Sequence, residues 1–240
     1  MAAATTFAGE DSSSVEPRLD LDQLKDRNRN RSTVVCQHGL VCASQPLAAQ
    51  AGIDILKAGG NCIDAAICTN AMLGLTEAAS NGIGGDLFAI VWIEKDKRLY
   101  ALNASGRALY DGNLEAAAGL GLSSIPRTSP LSWSVPGCVS GWGALSSRFG
   151  KLQLAQCLEA SIDYATNGFP LSPIISTYFA FDSKDAPSLA SVYHPGGRCP
   201  KYGEVFRNPM LANSYQAIAN GGPDAFYQGE IAERIVATSN

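Results

Sequence analysis

Histidine is scarce in this chain: His38 and His194 are the only two among 240 residues. The seven cysteines (Cys36, Cys42, Cys62, Cys68, Cys138, Cys157 and Cys199) show no C-x-x-C spacing. With so few imidazoles and no paired thiols, a zinc site is not expected, nor is any other metal or cofactor. Charged residues are also sparse, at 17% of the chain. That is below the usual share of about a quarter and unlike a disordered chain. Basic residues cluster only at Lys25–Arg31, and the net charge is −4. A nucleic-acid partner therefore lacks electrostatic support. Long apolar runs are missing too. The most hydrophobic stretch, 62–75, is interrupted by Asp64 and Asn70 and is too short to span a bilayer. The first residues lack the basic and apolar segments of a secretory leader. Free cysteines in a reducing compartment, and a cytoplasmic location, are the resulting expectations.

What the chain does have is apolar content, 46% of its residues. Residues 1–33 are polar and charged and are expected to form a flexible arm, with order beginning at Val34. A short strand is expected over Gly39–Ala43, followed by a helix opened by Ser44 and Pro46 and closed by Gly59-Gly60. Asn61 is placed to cap a second helix, with Asp64 at its third position. That helix is apolar on almost every side through Leu75, as a buried central helix would be. Leu87–Ile93 is a near-continuous apolar run, which predicts a strand covered on both faces. Lys95-Asp96-Lys97 turns it back into a strand over 99–102. A further strand is expected from Thr128 to Pro136-Gly137, then helices over 138–148 and 152–166. Pro173, Asn208-Pro209, Pro223-Asp224 and Gly229 open later helices, while 183–205 reads as irregular. The second half is thus largely helical.

The most informative stretch joins Asn81-Gly82-Ile83-Gly84-Gly85-Asp86, a hairpin and Ser105-Gly106-Arg107. Phosphate loops run strand, glycines, helix. Here the helix comes first, so a nucleotide site is not expected at this loop. Glycines beside apolar strands mark close approach of backbone to backbone or to ligand. Arg107 offers a planar pair of donors matched to a carboxylate. By the residues alone, it could equally make an internal salt bridge or a loop contact.

The ordered series Gly39–Ala48, Leu56–Ala66, Asn81–Asp86, Ser134–Gly137, Arg148–Leu152, Asn167–Pro173 and Gly222–Ala232 resembles the N-terminal portion of γ-glutamyltranspeptidase (glutathione hydrolase) proenzymes. The resemblance covers roughly residues 34–238. It implies an α+β, N-terminal nucleophile hydrolase fold, an αββα sandwich that is incomplete here. Residues 34–240 would be its large-subunit part. In that family the precursor cuts itself. The new N-terminal threonine of the small subunit attacks the amide, with its own α-amino group able to act as base. On this reading no catalytic residue lies in the chain, the nucleophile threonine is expected beyond residue 240, and the chain alone is inactive. The expected partners are the C-terminal subunit and a small substrate bearing a carboxylate, glutathione or a related amide. Arg107 matches the family's arginine for the substrate α-carboxylate. The pattern around it departs from true transpeptidases: Ser105 stands where an acidic residue is usual, Ala108 replaces a glutamate and Leu109 a proline. Ser105-Gly106-Arg107 is instead similar to the amidohydrolase branch that includes oxamate amidohydrolase. A noncatalytic binding or scaffold protein is the alternative expectation.

Overall fold

The computed structural model describes residues 4–5, 33–110, 112–126, 129–184 and 186–239. Nearly all of the expected arm over 1–33 lies outside the described residues. From Thr33 to Ala43 the chain forms neither helix nor strand, so the strand expected at Gly39–Ala43 does not form. It has no ladder partner, and an isolated extended segment is not a strand.

Helix α1 spans Pro46–Lys57. Gln45, not Ser44, caps it, its side-chain oxygen accepting from the Leu47 and Ala48 N–H groups. The Ser44 hydroxyl turns away to the Glu77 carboxylate. Helix α2, Cys62–Thr76, opens with the expected capping box between Asn61 and Asp64. Such reciprocal caps satisfy two orphan donors at once. Asp64 does more than cap. Fully buried, it also accepts from the Lys151 and Leu152 N–H groups at 3.1–3.3 Å. The Asn61 amide donates to Phe149 O at 2.6 Å. The motifs Gly59–Asp64 and Arg148–Leu152 are therefore two sides of one joint. Along α2, Ile63, Ile67, Cys68, Ala71, Met72 and Leu75 are all buried. Cys62 is exposed at the first position of the helix.

Strand β1 (Ala4–Thr5) pairs antiparallel with β3 (Arg98–Ala104), which in turn pairs with β2 (Leu87–Ile93). One face of this hairpin packs on the helices through Val91, Leu102 and Ala104. The other face is open: Phe88, Ile90 and Trp92 are 64%, 77% and 52% exposed. The expectation of a strand covered on both faces is thus corrected. The apolar run is real, but among the described residues only one layer lies against it.

After β3 come α3 (Leu114–Gly119), a 3₁₀ turn (Pro130–Ser132), α4 (Cys138–Phe149) and α5 (Leu154–Asn167). The strand expected before Pro136-Gly137 reduces to one bridge, Ala108 to Ser134, and Thr128 lies outside the described residues. Strands β4 (Phe169–Pro170) and β5 (Val205–Phe206) pair antiparallel around a small second core of Phe169, Phe179 and Phe206. Between and after them run α6 (Pro173–Tyr178), α7 (Pro187–Tyr193), α8 (Pro209–Gly221), α9 (Asp224–Tyr227) and α10 (Glu230–Ser239). Helix α7 falls inside the stretch read as irregular. Pro187 opens it where its missing N–H costs nothing. The chain is α+β with a helical second half, as expected. In the main core α2, α4, α5 and α8 meet, and Tyr215 of α8 donates to Ala71 O at 2.8 Å.

Candidate functional site: a glycine frame beside Arg107

The sequence motifs that looked separate meet at one corner, where the hairpin ends and α4 begins. Gly85 O accepts from both Gly137 N and Cys138 N, at 2.9 and 3.0 Å. This ties the Asn81–Asp86 turn to the start of α4. Arg107 O accepts from Val135 N at 2.9 Å, tying the strand exit to the same segment. Two glycines make the crossing possible. Gly106 adopts φ +84, and a Cβ on it would lie 1.8 Å from Val135 O. A Cβ on Gly137 would lie 1.9 Å from Ala104 O. Backbone is packed directly on backbone here, and no larger residue fits.

Side chains lock the corner from behind. Asn70 Oδ1 of α2 accepts from Trp142 Nε1 at 2.8 Å, and its amide nitrogen donates to Asn81 Oδ1 at 3.2 Å. Tyr227 donates to Pro136 O at 2.6 Å and accepts from Ser140 N at 3.0 Å. The Gly222–Ala232 motif thereby clamps the first turn of α4. Neither Asn70 nor Tyr227 was singled out from the sequence. A lone amide in an otherwise apolar helix was the available signal for Asn70, since a buried amide needs partners.

The chemistry this corner offers is narrow. Cys138 is buried, and its thiol is pushed up to about 12 by burial, with the Asp86 carboxylate adding to the effect. At neutral pH it is protonated and is a poor nucleophile. Asp86 itself is exposed. Arg107 is also exposed, and its guanidinium has no hydrogen bond or ion pair among the described residues. Among the described residues, the internal salt bridge that the sequence left open does not form. What the corner presents is a free planar cation at the end of a rigid, hydrogen-bonded frame. Ser105 stands beside it, its N–H held by Asn103 Oδ1 at 3.0 Å. Among the described residues no group of three or more His, Cys, Asp or Glu could hold a metal ion, and no helix is long and apolar enough to cross a membrane.

Comparison with known proteins agrees on one family. The profile described as Gamma-glutamyltranspeptidase matches residues 48–240. The chain is similar to the Glutathione hydrolase-like YwrD proenzyme of Bacillus subtilis, 35% identical over 85% of this chain and 39% of that protein. It is similar to the Oxamate amidohydrolase proenzyme of Klebsiella pneumoniae, 33% identical over 85% of this chain and 40% of that protein. Among solved structures it resembles Helicobacter pylori gamma-glutamyltranspeptidase, with a TM-score of 0.78 and 26% identity, over 86% of this chain and 61% of that one. The chain thus spans about two fifths of the length of these two curated relatives.

Proposed function

Because this chain belongs to the gamma-glutamyltranspeptidase family, we propose that it forms the carboxylate-binding, N-terminal part of an N-terminal nucleophile amidohydrolase. The reaction is hydrolysis or acyl transfer of an amide that carries a carboxylate, in the class of glutathione, γ-glutamyl compounds or oxamate. Arg107 receives that carboxylate through two parallel N–H···O bonds, which fix the substrate's orientation as well as its position. A charge-assisted pair of this kind contributes about 1.5–3 kcal/mol per hydrogen bond once water is excluded. The amide carbonyl is thereby presented to a threonine hydroxyl supplied by the part of the family fold that this chain does not span. Attack there releases the amine and leaves an ester, which water or an amino acid then opens. By itself the chain binds but does not turn over.

The observation that carries this reading is the unpaired Arg107 guanidinium held at the convergence of Gly85, Gly106 and Gly137. An arginine meant for an internal pair would have a partner in the frame. The finer architecture follows from the same reading. The helices and the hairpin form two layers of an αββα sandwich, and the open face of Phe88, Ile90 and Trp92 is where the second sheet lies. That open apolar face disfavours a free-standing scaffold role.

The test is kinetic. In an enzyme assembled from this chain and the missing part, Arg107→Ala is expected to raise KM for oxamate or a γ-glutamyl amide by an order of magnitude or more. An unchanged KM would remove Arg107 from substrate binding.

A further inference from the structure

The Arg148–Leu152 motif joins α2 through its backbone, while the Arg148 side chain lies on the hairpin. Its guanidinium sits 4.8 Å from the centre of the Tyr100 ring and 5.1 Å from that of Phe149. Arg98, at the start of β3, places its own guanidinium 5.5 Å from the same Tyr100 ring. Both arginines are exposed, and neither guanidinium has a hydrogen bond or ion pair among the described residues. The carboxylate at this ring, Asp96, accepts from the Tyr100 phenol at 3.1 Å and pairs with neither cation. Beside the rings, between β3 and α4, is a cavity of about 220 Å³. Val91, Leu102, Ala144, Leu145, Tyr100 and Phe149 line it, and Arg148 is the charged residue on its wall. The two rings are 5.0 Å apart and tilted by 55°.

We propose that this cavity binds a small aryl carboxylate, its ring among the apolar residues and its carboxylate on Arg148. The volume lies below the roughly 300–1,000 Å³ of drug-sized sites, which suits a body of one ring. The tilted Tyr100 and Phe149 rings give that body edge-to-face or offset partners, which an aliphatic chain could not use. Two guanidiniums converge on one phenol ring without a carboxylate partner, and like charges so placed repel until an anion joins them. An aromatic face attracts a cation but leaves its in-plane N–H groups unpaired, so these donors are available to two carboxylate oxygens. The apolar lining disfavours a bare inorganic anion, which would give up its hydration there with little in return. The site is separate from the Arg107 corner. It lies toward the other end of β3, a strand of seven residues and so about 20 Å long at about 3.3 Å per residue. It does not depend on the function proposed above.

The experiment is a titration of the full chain with sodium benzoate, followed by methyl NMR. Shifts of the Val91, Leu102 and Leu145 methyl groups are expected to saturate with a Kd of about 1 mM, ordinary for a ligand of about nine non-hydrogen atoms. Benzamide, the neutral counterpart, is expected to bind at least tenfold more weakly. Arg148→Gln, a change at an exposed side chain, is expected to weaken benzoate binding about tenfold. Ala144→Leu, which fills the cavity, is expected to abolish it; Arg148→Gln carries the test if that variant does not fold. Arg107→Ala and Ile90→Lys are expected to leave the benzoate Kd unchanged. The first separates this site from the candidate substrate corner, and the second from the open hairpin face. Absence of saturable shifts at tenfold that concentration overturns the proposal, as does equal affinity for benzamide or full affinity in Arg148→Gln. Binding lost in Arg107→Ala or in Ile90→Lys overturns it too, because benzoate would then sit at the corner or on the open face.

Discussion

Two contacts with no room for a methyl group fix where Arg107 stands. Gly106→Ala would force Cβ onto Val135 O while φ remains positive, and Gly137→Ala would meet Ala104 O. Overpacking costs about 1–3 kcal/mol and a left-handed non-glycine residue about 1–2 more. Urea denaturation followed by circular dichroism is therefore expected to show Gly106→Ala destabilised by about 2–5 kcal/mol. A wild-type midpoint would mean that the crossing is not so tight. The thiols give a pH prediction. Burial raises Cys68 and Cys138 to about 12 and Cys157 to about 11, from an ordinary 9.0. Because the folded chain holds these protons more tightly than the unfolded chain, their contribution is complete below pH 9. It is lost as pH climbs from 9 toward 12. Stability should fall across that window, and a triple Cys→Ala or Cys→Ser variant should flatten the fall. Arg107 stood out in the sequence because it follows Gly106 at a strand exit, and the structure leaves its guanidinium without a partner among the described residues. Asn70 and Tyr227 were not legible. Their partners lie 11 to 91 residues away in sequence, and no local pattern specifies such contacts.

Helices α1, α2 and α8 form where expected, because each carries its own start signal: Pro46, Asn61-x-x-Asp64 and Asn208-Pro209. Asp64 illustrates how a local signal can hide a tertiary one. Its capping role was readable from three residues, whereas its bonds to Lys151 and Leu152 depend on the fold. Asp64→Ala is expected to leave the part-buried Lys151 and Leu152 N–H groups without partners and to cost about 2–5 kcal/mol. An ordinary exposed-cap loss of about 1 kcal/mol would show that the joint contributes little. The strands were harder to read. Leu87–Ile93 has the composition of a doubly covered strand, but composition cannot say whether the second cover is in the same span of chain. Gly39–Ala43 has strand alternation, but a strand is made by its neighbour. Helix α7 was obscured by the prolines and glycines around it, which punctuate structure without excluding one short helix between them.

At the scale of the whole molecule, the hairpin leaves Phe88, Ile90 and Trp92 in contact with water. Contiguous apolar faces of this kind mark interaction surfaces or aggregation hazards. The chain alone is expected to bind a hydrophobic dye and to self-associate as its concentration rises. Ile90→Lys should reduce both while changing unfolding stability by less than about 0.5 kcal/mol. A monodisperse, dye-silent chain would contradict an uncovered face. The family profile and the structural similarity agree with the fold class. On the proposed reading the substrate is chosen at the corner by Arg107, whose sequence neighbours are Ser105, Ala108 and Leu109. The decisive measurement compares kcat/KM for oxamate with that for oxamide, its neutral counterpart, in the assembled enzyme with Arg107 and with Arg107→Ala. The guanidinium account predicts a preference of at least tenfold for oxamate that collapses in the variant. An equal preference in both proteins would contradict it.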